Sequence, residues 1–244
     1  MKMTALDASK KMKALANPRK AKILSSFFKT DPGQYGEGDK FLGVMVPQTR
    51  YIARQYLELP LPELQKLIRS PWHEERLLGL IILVLRSKRC KAERERKTYF
   101  NFYIRQMRWI NNWDLVDLTA VEVIGGYLWD KPKDCLFKWV KSQRLWDRRV
   151  AVLATFYFIR KGRVDESLRL SEMLLEDEED LMHKAVGWML REIGKRDEKS
   201  LLLFLDSHAA HMPRTMLRYS LEKLSEPRKR HYMACRSRTN NSLS

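Results

Sequence analysis

Apolar residues recur along this chain at three- and four-residue spacing, the period of a helix with one buried face, rather than at the alternation of a half-exposed strand. Asn17-Pro18 opens a segment over 17–29 in which Ile23, Leu24, Phe27 and Phe28 share a face. The loop DPGQYGEGDK at 31–40 follows and holds three of the ten glycines. Pro47, Pro62 and Pro71 then mark the starts of segments 47–59, 62–70 and 72–86. Proline suits a first turn, because its missing N–H has no helical partner there. Further helices are predicted over 91–109, 113–129, 133–142, 146–161, 165–176, 179–195, 199–208 and 213–224. Residues 227–244 lack periodicity and read as a basic, flexible tail beyond one all-α domain at 1–226.

Four segments also resemble one another. EERLLGLIILVL (74–85), DRRVAVLATFYF (147–158), MHKAVGWMLREI (182–193) and MPRTMLRYSLEK (212–223) each carry a basic residue third: Arg76, Arg149, Lys184 and Arg214. Their separations are 73, 35 and 30 residues, and the first leaves room for one more unit, which 113–129 fills. Helix-pair units of this size are the mark of an α-solenoid of HEAT-like repeats, although generic amphipathic helices also produce a likeness of this strength. In a solenoid the four basic residues would line a concave basic groove, a cradle for a phosphate backbone.

Charge sharpens that expectation. Lys and Arg number 47 against 30 Asp and Glu, a formal net charge of +17, which calls for a polyanionic partner, nucleic acid ahead of a membrane surface. Residues 1–30 carry eight Lys and Arg and one Asp, whereas 165–180 carry eight carboxylates and one Arg. The positive field is thus one-sided. The longest uncharged apolar run, 77–85, spans nine residues, too short to cross a membrane, and the lysine-interrupted N-terminus lacks a secretory core. Three scattered cysteines without a CxxC pair suit a reducing cytoplasm. His208 and His211 have no further ligand set, so no metal is expected. Phosphate-binding glycine loops, dinucleotide fingerprints and a GxSxG elbow are all missing, which removes nucleotide hydrolysis, nicotinamide redox chemistry and serine-hydrolase chemistry.

The densest polar–aromatic cluster is RWINNWDLVD at 108–117. Asn112 can cap a helix that sets Trp113 and Asp117 at i and i+4 on one face. Trp188 stands four residues after Lys184, and Arg149 lies in another unit. Two indoles, a carboxylate and an arginine in one groove would suit a cationic ligand through aromatic walls and an anionic centre. The plainer alternative keeps the tryptophans in the core and gives Asp114 or Asp117 a capping or ion-pairing role.

At these residues the chain resembles the bacterial DNA alkylation repair glycosylases of the AlkD type, which are built from HEAT-like repeats. FLGVMVPQTR (41–50), NNWDLVDL (111–118), LWDRRVAVL (145–153) and HKAVGWMLREIGK (183–195) carry the likeness and occur in family order. The resemblance implies hydrolysis of the N-glycosidic bond of N3- and N7-alkylated purines in double-stranded DNA, without a base-flipping pocket and without a cofactor. By the family pattern Asp117 is the catalytic carboxylate, Trp113 and Trp188 contact the lesion-bearing nucleotide, and Arg149 holds the DNA backbone. Arg76, Lys184 and Arg214 complete the expected DNA-binding set. A monomer in the bacterial cytoplasm, nucleoid-associated when bound to DNA, fits the same reading. The YGEGD loop at 35–39 departs from the family pattern, as does Asn112, where a second aromatic can stand. Two other readings use the same features: a non-catalytic HEAT-repeat module for damaged or structured DNA, and a protein scaffold that offers the acidic stretch to a basic partner.

Overall fold

A computed structural model describes residues 3–235. As the hydrophobic pattern predicts, it is all-helical; among the described residues the only strand-like contact is one isolated bridge between Lys40 and Trp72. The chain divides into two compact units, Met1–Tyr127 and Leu128–Ser244.

The first unit contains α1 (Ala5–Ala14), α2 (Pro18–Phe27), α3 (Val46–Gln55), α4 (Leu61–Ile68), α5 (His73–Arg89), α6 (Glu93–Gln106), α7 (Trp113–Asp117) and the start of a short α8 (Gly126–Leu128). Its centre is α5, buried without a break from His73 to Val84. A helix covered on all sides needs apolar residues all round, and LLGLIILVL supplies them. Helices α3 and α4 pack against it, and α1 lies on both.

The second unit contains α9 (Asp134–Trp139), α10 (Leu145–Ala154), α11 (Phe156–Arg160), α12 (Asp165–Glu172), α13 (Asp180–Gly194), α14 (Glu198–His208), α15 (Arg214–Leu221) and α16 (Glu226–Ala234). Helix α13 is its core element. Met182, Ala185, Val186, Met189, Leu190 and Ile193 form a fully buried stripe at helical spacing, each large side chain contributing about 1.5–3 kcal/mol on burial. Gly187 lets α15 come close: a Cβ there would lie 2.5 Å from the Met216 carbonyl oxygen and 2.5 Å from the Tyr219 Cβ.

Several boundaries differ from the sequence expectation, each for a local reason. Helix α1 has no counterpart among the predicted segments; a reciprocal cap between Thr4 and Asp7 starts it. The predicted helix over 113–129 breaks after α7, where the Thr119 hydroxyl donates to the Leu115 carbonyl and a π-helical turn follows at Val121–Gly125. The one over 146–161 divides at Thr155, whose hydroxyl donates to the Val152 carbonyl at 2.6 Å. The expected tail from Pro227 is helical through Ala234. Pro227 sits in the first turn of α16, and Tyr232 anchors the helix, buried and donating to Asp206 at 2.6 Å. A helix held by one buried residue shows no periodicity. Residues 236–244 of that tail lie outside the described residues.

Three helices start on the same hydrogen-bonded turn. Ser70 accepts from the Trp72 N–H through its hydroxyl and from Arg76 through its carbonyl. Ser142 repeats both bonds with the Arg144 N–H and Arg148, and Asp177 repeats them with the Glu179 N–H and His183. The register is therefore Arg76, Arg148, His183, one residue earlier in the last two units than the sequence alignment through Arg149 and Lys184.

Replacing Gly187 with alanine is expected to destabilise the fold by about 1–3 kcal/mol, since α15 offers a backbone carbonyl rather than a yielding side chain. Urea denaturation measures it, and an unchanged midpoint would mean that α15 moves away without cost.

Candidate functional site

The first unit carries a cavity of about 320 Å3 beside α7. Its walls are aromatic. Phe28, the residue that ends α2, stacks on Trp113 with ring centroids 5.0 Å apart and on Phe41 at 5.1 Å. Phe27 meets Trp113 edge-on at 5.9 Å. Trp113 opens α7 because the buried Asn112 side chain accepts its backbone N–H at 2.8 Å. One helical turn later Asp117 also lines the cavity. The two residues that i and i+4 spacing places on one face do share one site.

Beneath the aromatic wall lies a buried polar cluster that no sequence motif announces. The Asp39 carboxylate faces His73 Nδ1 at 2.9 Å and accepts Arg76 Nη2 at 2.5 Å, Asn112 Nδ2 at 3.1 Å and Asn111 Nδ2 at 3.4 Å. The other ring nitrogen, His73 Nε2, faces Asp114 at 2.9 Å. Burial alone would push the His73 pKa down. The Asp114 charge beside it, with hydrogen bonds to Asp114 and Asp39, outweighs burial and raises it from 6.5 to about 8. With both ring nitrogens against carboxylates, the protonated ring donates to each. Burial pushes Asp39 the other way, up, but His73, Arg76 and Asn112 together hold it below the usual carboxylate value.

The neighbouring Glu74 is equally committed. Its carboxylate accepts the backbone N–H groups of Leu42, Gly43 and Val44 at 2.9, 2.8 and 3.2 Å. Gly43 has φ +82°, and a Cβ there would strike the Asn17 carbonyl oxygen at 2.2 Å, so the FLGV segment can lie on α2 only with glycine at this point.

The remaining sequence-derived candidates divide by environment. Arg76 is 4% exposed and bonded to Asp39 and the Ser70 carbonyl, which corrects the expectation that it faces a phosphate: its recurrence reflects the shared helix start. Arg149 is 5% exposed in the second unit and donates to the Leu181 carbonyl at 2.5 Å. Lys184 is half-buried and pairs with Asp180 at 2.6 Å. Arg214 is exposed and donates to the Met233 carbonyl at 2.8 Å. Trp188 is half-buried against Phe156, centroids 5.7 Å apart. Trp113 and Asp117 thus belong to the first unit, and Arg149, Lys184, Trp188 and Arg214 to the second. Among the described residues no group of three or more His, Cys, Asp or Glu could hold a metal ion, and no helix is long and apolar enough to cross a membrane.

A family model described as DNA alkylation repair enzyme matches residues 8–224. Similar solved structures include the following two. One is described as a predicted DNA alkylation repair enzyme from Enterococcus faecalis, 18% identical with a TM-score of 0.68, the match covering 86% of this chain and 97% of that one. The other is smu.31 from Streptococcus mutans UA159, 16% identical with a TM-score of 0.51, covering 91% and 99%. Comparison with curated proteins finds no match.

The raised His73 pKa makes stability depend on pH in one direction. A group whose pKa is higher folded than unfolded stabilises fully below its unfolded value, here 6.5, and that contribution is lost as pH rises through about 8. The difference in melting temperature between wild type and His73→Gln should shrink between about pH 6 and about pH 9, corresponding to about 2 kcal/mol. A gap that stays constant or widens would show His73 to be uncharged in the folded protein.

Proposed function

Because the chain belongs to the DNA alkylation repair enzyme family, we propose that it is a DNA glycosylase that hydrolyses the N-glycosidic bond of N3- or N7-alkylated purines in double-stranded DNA. Family membership gives the role in repair of alkylated DNA; the glycosylase chemistry rests on Asp117 and Trp113 lining the same cavity. An N-alkylated purine is already cationic, so it departs as a neutral base without a general acid. As the bond breaks, positive charge passes to the deoxyribose, and a fixed carboxylate lowers the energy of the oxocarbenium-like transition state. Asp117 takes that role and orients the attacking water. Trp113, on the wall of that cavity, contacts the lesion-bearing nucleotide, and Trp188 makes a DNA contact from the second unit.

The cavity itself favours action without base flipping. A flipped base is read through hydrogen bonds to its Watson–Crick edge. Here His73 and Asp114 are bonded to each other, His73 also to Asp39, and Asp114 and Glu74 to backbone amides, and the rest of the wall, Asp117 and the Trp113 indole N–H apart, is apolar. No cofactor enters this chemistry. Arg149 acts from inside the second unit, fixing the Leu181 carbonyl in the first turn of the helix that carries Trp188. Lys184 and Arg214, nearer the surface, supply contacts to phosphates.

The test is release of 7-methylguanine or 3-methyladenine from methylated duplex DNA. Wild type should release the base, and Asp117→Asn should be slower by about 100- to 1,000-fold. Salt-sensitive binding without release by wild type would instead make the protein a non-catalytic DNA-binding module.

A further inference from the structure

Helix α2 is held at both ends and bare along its outer face. Its start is fixed where the Asn17 N–H donates to the Leu42 carbonyl at 2.8 Å and Gly43 packs against Asn17. Its end is fixed by Phe28, which stacks on Trp113 and Phe41. Yet no residue of α2 itself is buried, whereas every other described helix of eight or more residues buries at least one. Two large apolar side chains stand in the open, Ile23 at 66% and Phe27 at 61% exposure. At the helical period Arg19, Ile23 and Phe27 follow one another along the outer face, with Lys20 to one side and Lys22 to the other. The three cations are exposed, and the helix contains no carboxylate. Among the described residues none of their side chains has an ion pair or a hydrogen-bond partner. Arg19 and Lys20 also occupy the first turn, where the helix dipole disfavours positive charge.

We propose that the outer face of α2 is a contact surface for duplex DNA, in which Arg19, Lys20 and Lys22 bind phosphates and Ile23 and Phe27 pack against the sugars between them. The backbone of a duplex presents apolar sugar edges between charged phosphates, and α2 presents an apolar ridge between cations. A phosphate beside Arg19 and Lys20 offsets both their mutual repulsion and the dipole they oppose. The face also runs into the cavity, because Phe27 lines it together with Trp113 and Asp117. A lipid surface suits α2 less well. Seating a helix in a membrane interface takes a full apolar face, and Leu24 on the inner side is already turned into the cavity wall. Anchorage at both ends holds the ridge and its cations in place before any partner arrives, so little ordering remains for binding to oppose. The inference takes its partner from the DNA-repair reading, on which it rests, and adds a surface that reading does not name.

Binding to an undamaged fluorescent duplex, followed by anisotropy between about 50 and 200 mM salt, tests the face. With Arg19→Gln, Lys20→Gln and Lys22→Gln combined, the slope of log affinity against log salt should fall by about three, one for each lost phosphate contact. Lys66→Gln, Lys199→Gln and Lys229→Gln combined, which remove the same charge elsewhere, should leave the slope unchanged. Ile23→Ala should weaken binding about 3- to 10-fold at every salt concentration while keeping the wild-type slope. Circular dichroism melts verify that each variant folds. A wild-type slope in the α2 triple variant, an equal fall in the control triple, or wild-type affinity in Ile23→Ala overturns the assignment and leaves the glycosylase reading to its own excision assay. Failure of wild type to release the base, with the α2 slope falling as expected, removes the glycosylase reading and keeps the surface. Wild type that binds anionic lipid vesicles but not duplex DNA overturns both.

Discussion

One buried carboxylate organises the first unit. Asp39 gathers His73 from the start of α5, Arg76 one turn further along, and Asn111 and Asn112 from the turn before α7. A carboxylate removed from water carries a desolvation cost of several kcal/mol and persists only where donors meet its lone pairs. That requirement fixes three chain segments at once. Asn112 then caps α7, α7 sets Trp113 against Phe28, and the same short helix brings Asp117 to the cavity. The cavity wall is therefore held by a polar cluster behind it as well as by apolar packing.

The helices and the placing of Trp113 and Asp117 on one cavity were legible in sequence because their signals are local. Proline and asparagine starts, three-four spacing and the i, i+4 placement of Trp113 and Asp117 all act within a turn or two. The Asp39 cluster was not legible, because its members stand at positions 39, 73, 76, 111, 112 and 114 with no shared spacing. The departure of the YGEGD loop from the family pattern was the one available hint, since Asp39 is its last residue. The helix breaks at Thr119 and Thr155 were hidden for a related reason. A threonine hydroxyl that turns back to a carbonyl leaves the hydrophobic period intact.

The basic residues show how far composition carries. A net charge of +17 implies a polyanion, but it does not say which cations remain at the surface. Arg76 and Arg148 are spent on closing the turns that start α5 and α10. Asp177, in the acidic stretch, is likewise spent on Arg148 at 2.7 Å. Sequence likeness among the helix starts was therefore a structural repeat, read one residue out of register.

The amide group at Leu42, Gly43 and Val44 has a wider consequence. Successive backbone N–H groups turned to one side make an anion-binding concavity of the kind that elsewhere receives phosphate. In this protein the concavity is already filled, from within, by Glu74. The chain has used its own carboxylate as a permanent internal counter-ion, closing the main-chain route to nucleic acid at that loop.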